Sequence, residues 1–337
     1  MQRILITGSA GFIGFHLARH LLAAGHLVHG YDGLTPYYDV TLKEKRHAIL
    51  KAMPGFTATE AMVEDAATLD RVGDDFEPEI IIHLAAQAGV RYSLSHPRSY
   101  IETNFTGSFN VLELAKRQKV RHLLIASTSS VYGANPEMPF HETDRTDHPL
   151  TVYAATKKAV EALSHSYAHL WDLPVTLFRF FTVYGAWGRP DLAYFKFAKA
   201  ILEGEPIDVY NHGELWRDFT AVEDLVEGVA RLIPVAPPLP AARGTPVEGD
   251  SLSPVAPHRI VNVGNNDKVH LMEFIRTLEA LLGRQARCNF LPMQPGDVPA
   301  TWADCALLER LTGFRPETDL ATGLGRFVDW YRDYIRA

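Results

Sequence analysis

Short apolar runs alternate with longer stretches of helical spacing through the first half of the chain. Arg3–Thr7 reads as a buried strand, followed by a glycine turn and an amphipathic helix over residues 12–24. Residues 26–31, closed by Asp32, then 79–84 (EIIIHL) and 122–126 (HLLIA) repeat the strand pattern, and 175–181 completes the series. Between them, 97–119 places Ile101, Phe105, Val111, Leu112 and Leu114 at helical spacing, and 152–170 predicts another helix. Strands alternating with helices in this way predict right-handed crossovers and a parallel sheet covered on both faces.

After about residue 182 the alternation loosens. Helices over 192–202, 223–232 and 271–282 are interspersed with short strands such as 207–210 and 260–263. Seven of the 21 prolines fall in 234–257, a density that forbids helix and central strand, so this segment reads as an exposed loop of a second lobe. The expected organisation is an α/β chain. A first domain spans 1–181, with later segments returning to it, and a smaller mixed α/β lobe is made mainly of 182–337.

Composition excludes several functions. Apolar residues make up 47% and charged residues 22%, which is globular rather than disordered or collagen-like. The 33 basic and 40 acidic residues leave a net charge of −7 without a basic block. That argues against sequence-independent nucleic-acid binding and still allows an anionic small ligand held by local positive charge. Cys288 and Cys305 are too few for a disulfide framework and lack metal-ligand spacing. The first strand starts at Arg3, leaving no room ahead of it for a signal peptide, and no apolar run approaches the roughly 18 residues that span a bilayer. The expectation is a soluble cytoplasmic protein.

The candidate chemistry begins at Gly8-Ser9-Ala10-Gly11-Phe12-Ile13-Gly14, between the first strand and the first helix. Glycines there let the backbone approach a pyrophosphate, and the helix N-terminus adds free N–H donors and a positive dipole end. Asp32 ends the second strand, where a carboxylate can accept both ribose hydroxyls of NAD and would repel a 2′-phosphate. The arrangement is that of a Rossmann-type, doubly wound sheet binding NAD. Tyr153 and Lys157 lie four apart, on one face of a helix. A phenol with a pKa of about 10 becomes a base near neutrality only if positive charge favours its phenolate, which Lys157 can supply. Ser127, Thr128, Ser129 and Ser130 stand just past the strand 122–126, where such folds place ligands and a hydroxyl can relay a proton.

Together these pieces resemble the extended short-chain dehydrogenase/reductase family. The marks are TGSAGFIG, Asp32, HLAA at 83–86, Asn104, STSSVYG, YAATK and the RDF at 217–219. Within it, HLAAQAGVRYSL, RFFTVYGAWGRPDLAYFKF, EGEPIDVYN, LWRDFTAVEDLVEG and MQPGDVPATWAD are most similar to the UDP-glucuronate 4-epimerase group. The resemblance implies that Gly8, Gly11, Phe12, Ile13, Gly14 and Asp32 bind NAD, with Asp65 reading the adenine and Leu84, Ala85 and Ala86 lining the ribose. It implies that Tyr153 and Lys157 reach the nicotinamide ribose and that Thr128 is the catalytic hydroxyl, with Ser129 beside it at the substrate. Arg217 matches the pyrophosphate-binding arginine, Asp297 the uridine-ribose ligand, and Ile207-Asp208-Val209 the backbone edge that pairs with uracil, assigned to Val209. Gln294 stands where related epimerases often carry Arg. Thr182 and Arg189 fall where the sugar is contacted, Arg189 being the candidate for the C6 carboxylate and Arg91 the second. Departures are Gly33 and Val160, where relatives commonly carry Asn. Asn104 is read as satisfying backbone beside the cofactor rather than as doing chemistry.

The implied activity is reversible C4 epimerisation of UDP-glucuronate to UDP-galacturonate through a 4-keto sugar. That intermediate is a β-keto acid, so an epimerase must hold the carboxylate out of the geometry in which CO₂ leaves, the role assigned to Arg189. A decarboxylase would share the cofactor site, and a galactose-type epimerase would have no use for a carboxylate-facing Arg. A 4,6-dehydratase would carry Asp-Glu where Ser129 and Ser130 stand. Trp187 and Trp216 are read either as flanking the substrate or as packing. A homodimer built on residues 97–119 and 152–170 is expected.

Overall fold

The computed structural model describes residues 1–245, 247–294 and 297–336. Six parallel strands open the fold: β1 (Arg3–Thr7), β2 (Leu27–Asp32), β3 (Phe56–Glu60), β4 (Ile80–His83), β5 (His122–Thr128) and β6 (Val175–Phe180). A seventh, His258–Val263, pairs in parallel with β6, giving the spatial order His258–Val263, β6, β5, β4, β1, β2, β3. The strand absent from the apolar pattern is β3, whose sequence FTATE sits at the sheet edge with only Phe56 buried.

Because successive strand side chains point to opposite faces, the continuous apolar runs feed two cores. Ile4 and Ile6 of β1 and Ile80 and Ile82 of β4 join the buried face of α1 (Phe12–Ala23), with Val222–Leu232 and Ala306–Thr312 beside it. Leu5, Ile81, Leu123 and Leu177 face the other way. They meet Ala66–Phe76, Ser108–Gln118 and Val152–Trp171. The helical spacing over 97–119 resolves into Pro97–Tyr100, a wide π turn at Ile101–Gly107, and Ser108–Gln118.

A third core is built from Ala193–Glu203, Leu271–Leu282 and Leu320–Tyr334, packed with Ile207 and Val209. Short sheets lie beside it: Pro206–Val209 with Arg287–Phe290, and Trp216–Arg217 between Val269–His270 and Ala300–Thr301. The proline-rich segment is not an appendage of that lobe. It bridges Val222–Leu232 and His258–Val263, both packed with the large sheet, and Ser253 and the Val255 carbonyl hydrogen-bond His165 and His169 of Val152–Trp171. Proline density allowed only a short 3₁₀ turn, Pro240–Ala242, among the described residues of the segment, and carried no information about where it docks. No helix among the described residues is long and apolar enough to cross a membrane.

Candidate active site

One cleft of about 1500 Å³ runs along the C-terminal edge of the large sheet and between the two lobes. It exceeds the roughly 300–1,000 Å³ of a typical single-ligand pocket, which leaves room for two ligands end to end. At one end lies the glycine loop. Gly8 adopts φ +77°, and a Cβ there would stand 2.7 Å from the Ala85 amide nitrogen. A Cβ on Gly14 would stand 2.1 Å from the Gly8 carbonyl oxygen, so α1 lies against the loop only with glycine there. Gly11 caps α1 without a side-chain acceptor, and Phe12, Ile13 and Gly14 line the cleft with first-turn N–H groups that the helix itself cannot satisfy. Asp32 is buried and held by the Ala10 and Leu34 amides at 2.9 Å each. A carboxylate has further lone pairs to offer ribose hydroxyls. Leu84, Ala85 and Ala86, after β4, line the same end. These residues fit a dinucleotide.

Asp65 is not brought to the cleft. Its carboxylate accepts from the Thr68 amide at 3.0 Å and caps the helix Ala66–Phe76, while Met62 and Val63 line the cavity instead. An Asp directly before a helix is a strong capping signal, and that role accounts for it.

Tyr153, Lys157 and Thr128 line the middle of the cleft. Thr151 caps the helix Val152–Trp171, setting its first turn, and the four-residue spacing then places Tyr153 and Lys157 on one face. Lys157 donates to the Ala126 carbonyl at 2.9 Å, and burial pulls its pKa down to about 8, opposed by Glu161. Burial pushes the Tyr153 phenol up, while the Thr128 hydroxyl and the Arg189 charge pull it back. Thr128 and Arg189 are thus two groups of this structure that favour the phenolate. Thr128 accepts from the Ser130 amide at 3.2 Å, and Ser129 and Ser130 also line the cavity.

Sequence reading missed what holds this floor in place. Glu161, one turn past Lys157, accepts from Ser127 at 2.6 Å and forms a fully buried pair with Arg179 of β6 at 2.9 Å. The spacing Tyr153, Lys157, Glu161 was the available signal. Asn104 satisfies the Gln87 backbone at both amide and carbonyl, at 2.8 and 3.0 Å.

At the far end, Arg217 pairs with no carboxylate among the described residues; it donates to the carbonyls of Trp216, Val298 and Pro299. A guanidinium held by neutral acceptors leaves net positive charge in the cleft wall, as phosphate recognition needs. Arg91 donates to Asp297 across the cleft mouth at 2.9 Å, so these two candidates are partners of each other here. Val209 is fully buried, and its carbonyl accepts from the Leu291 amide at 2.9 Å. Backbone groups of successive strand residues point to opposite edges, so the edge facing away from Arg287–Phe290 belongs to Asp208, which lines the cleft. Gln294 does not line the cleft; its carbonyl accepts from the Asp297 amide at 3.2 Å.

Thr182 and Arg189 lie at the cleft, but the Arg189 fork is engaged. Nε and Nη2 donate to the two oxygens of Asp191 at 3.0 and 2.6 Å, and Tyr37 donates to the same carboxylate at 3.2 Å. Asp191 thus takes up the Nε–Nη2 edge of Arg189, and both Nη1 protons and the second Nη2 proton stand outside the pair. The Trp187 ring packs on Phe15 and Trp330, and Trp216 on His270.

The model of the NAD dependent epimerase/dehydratase family matches residues 4–237. The chain belongs to this family. Among relatives of this epimerase/dehydratase chain, a probable UDP-glucuronate 4-epimerase of Rhizobium meliloti (strain 1021) is 58% identical, covering 100% of this chain and 99% of that one. UDP-glucuronate 4-epimerase 4 of Arabidopsis thaliana is 42% identical over 98% of this chain and 75% of its own. The crystal structure of UDP-glucuronic acid 4-epimerase from Bacillus cereus in complex with UDP-glucuronic acid and NAD superposes with a TM-score of 0.84. It is 30% identical and covers 98% of this chain and 99% of that one.

Proposed function

We propose that this chain epimerises UDP-glucuronate at C4, reversibly giving UDP-galacturonate. The observation that carries the reading is the single cleft in which the glycine loop, the Thr128–Tyr153–Lys157 group and Arg217 follow one another. The full-length relatives named above supply the substrate. Bound NAD supplies the two-electron acceptor and donor that C4 requires. Gly8, Gly11, Phe12, Ile13, Gly14 and Asp32 hold it, and Leu84, Ala85 and Ala86 flank its ribose. Tyr153 takes the C4 hydroxyl proton at its phenolic oxygen and later returns it, with the Thr128 hydroxyl bridging to the reacting oxygen. Lys157 keeps positive charge beneath the phenol.

Arg217 meets the pyrophosphate, and Asp208 offers the backbone edge to the base. Asp297, released from Arg91, meets the uridine ribose. With its Nε–Nη2 edge paired to Asp191, Arg189 offers its Nη1–Nη2 edge to the C6 carboxylate, beside the neutral hydroxyls of Ser129 and Thr182. This fixes the carboxylate out of line with the C4 carbonyl system and suppresses CO₂ loss. The protein works as a homodimer through 97–119 and 152–170. Ile101, Phe105 and Phe109 form an exposed apolar stripe at four-residue spacing there, and Leu170 and Trp171 are exposed at the end of the second helix.

Incubation of the purified protein with UDP-glucuronate, without added NAD, tests the reading. A product of unchanged mass with the mobility of UDP-galacturonate is expected. A product lighter by CO₂ would make the chain a decarboxylase. Turnover of UDP-galactose alone would remove the carboxylate assignment.

A further inference from the structure

Arg46, on the helix Val40–Lys51, is fully buried, yet none of its hydrogen bonds goes to a carboxylate. A buried guanidinium without a counter-ion is costly, and carbonyl dipoles offset only part of that cost. What its planar fork does is join two distant backbone segments. Nη1 donates to the Ala10 carbonyl at 3.1 Å, inside the glycine loop, and to the Tyr38 hydroxyl at 2.9 Å. Nη2 donates to the Trp187 carbonyl and, at 3.0 Å, to the Gly188 carbonyl.

A second side chain reinforces the link. His16, on α1, bonds the Ala186 carbonyl through Nε2 at 2.8 Å. Burial holds this imidazole neutral, with a pKa near 4, so the ring proton sits on the nitrogen that donates. Three successive carbonyls, 186 to 188, are thus gripped from the dinucleotide side, and the next residue is Arg189. Ala10 is pinned at both ends: its amide donates to Asp32 and its carbonyl accepts from Arg46.

We propose that Arg46 is a positioning residue that couples the dinucleotide cradle to the substrate loop 186–191. A ligand settling on the glycine loop and Asp32 fixes Ala10, Ala10 fixes the Arg46 fork, and the fork fixes the loop that presents Arg189 and Asp191. By linkage, a sugar nucleotide held by that loop tightens the hold on the dinucleotide. Lysine cannot replace this fork, since one ammonium cannot span both segments with the same planar geometry.

The inference rests on the function proposed above, and the test separates the two. Holoenzyme carrying Tyr153→Phe, in which the proposed reaction is silent, is followed by exchange of bound NAD for isotopically labelled NAD, with and without saturating UDP-glucuronate. With Arg46 present, UDP-glucuronate should slow exchange by roughly 5-fold or more, the lower end of ordinary coupling. In Arg46→Met the slowing should fall below about 2-fold, with Arg46→Lys between them. Should Arg46→Met fail to fold, His16→Leu removes the neighbouring donor and should weaken the slowing in part. Full slowing in Arg46→Met, or in His16→Leu where that is the variant measured, overturns the coupling. So does bound NAD whose exchange is indifferent to bound UDP-glucuronate with Arg46 in place. A purified protein that holds no NAD and binds no UDP-glucuronate overturns the function as well.

Discussion

Lys157 gives the site an alkaline limit. Its burial places the ammonium's pKa at about 8, so charge beneath the phenol is present below that pH and lost above it. The rate should fall as pH rises past about 8. Lys157→Arg, charged throughout, should lose that alkaline limb at a lower overall rate; a pH–rate profile of both proteins checks it. Arg189 offers a second expectation. One charge-assisted hydrogen bond is worth about 1.5–3 kcal/mol, so Arg189→Ala should lower kcat/KM roughly 10- to 100-fold and release some UDP-pentose, read by product mass. Full activity with no pentose would remove Arg189 from the carboxylate's surroundings. At this scale the sequence was most legible where chemistry and spacing coincide, as at Tyr153 and Lys157. It was least legible at Val209, because the edge a strand residue faces depends on Arg287–Phe290, far away in the chain. Asp65 was ambiguous because a helix cap and a ligand contact use the same residue type, and the structure shows the cap.

Among the elements, the glycine loop is defined by distances that no side chain tolerates. Gly14→Ala puts a methyl group 2.1 Å from the Gly8 carbonyl oxygen, and α1 must move away from the loop. The variant is expected to fold, since α1 gains a better helix former, and to purify without NAD, as measured by nucleotide released on denaturation. Retention of stoichiometric NAD would place the pyrophosphate elsewhere. Periodicity disclosed the strands that are buried on both faces. It passed over β3, an edge strand whose Thr57 and Glu60 are exposed. It also read 97–119 as one helix, because a π turn leaves the apolar spacing nearly intact while widening the backbone at Asn104.

At the level of the whole molecule, the stripe of Ile101, Phe105 and Phe109 is an exposed apolar face that water does not favour. Phe105→Glu with Phe109→Glu should convert a dimer to a monomer in sedimentation equilibrium while leaving bound NAD in place. A native protein that sediments as a monomer at micromolar concentration would end the dimer reading.

The seventh strand of the large sheet has a consequence for how the protein is made. As the chain leaves the ribosome, β6 emerges with one edge bare, and the strand that covers it, His258–Val263, follows only after Ala193–Glu203, Pro206–Val209 and Val222–Leu232. The first six strands therefore have no completed sheet to settle into during most of translation, and an unpaired edge of N–H and C=O groups invites pairing with other chains. The helix bearing Tyr153 and Lys157 waits for the same event, because Ser253 and Val255, which brace its far end, arrive just ahead of that strand. A nascent chain stalled before residue 258 would present that bare edge to other chains, and no active site can exist until the edge is covered and residues 297–301 have followed.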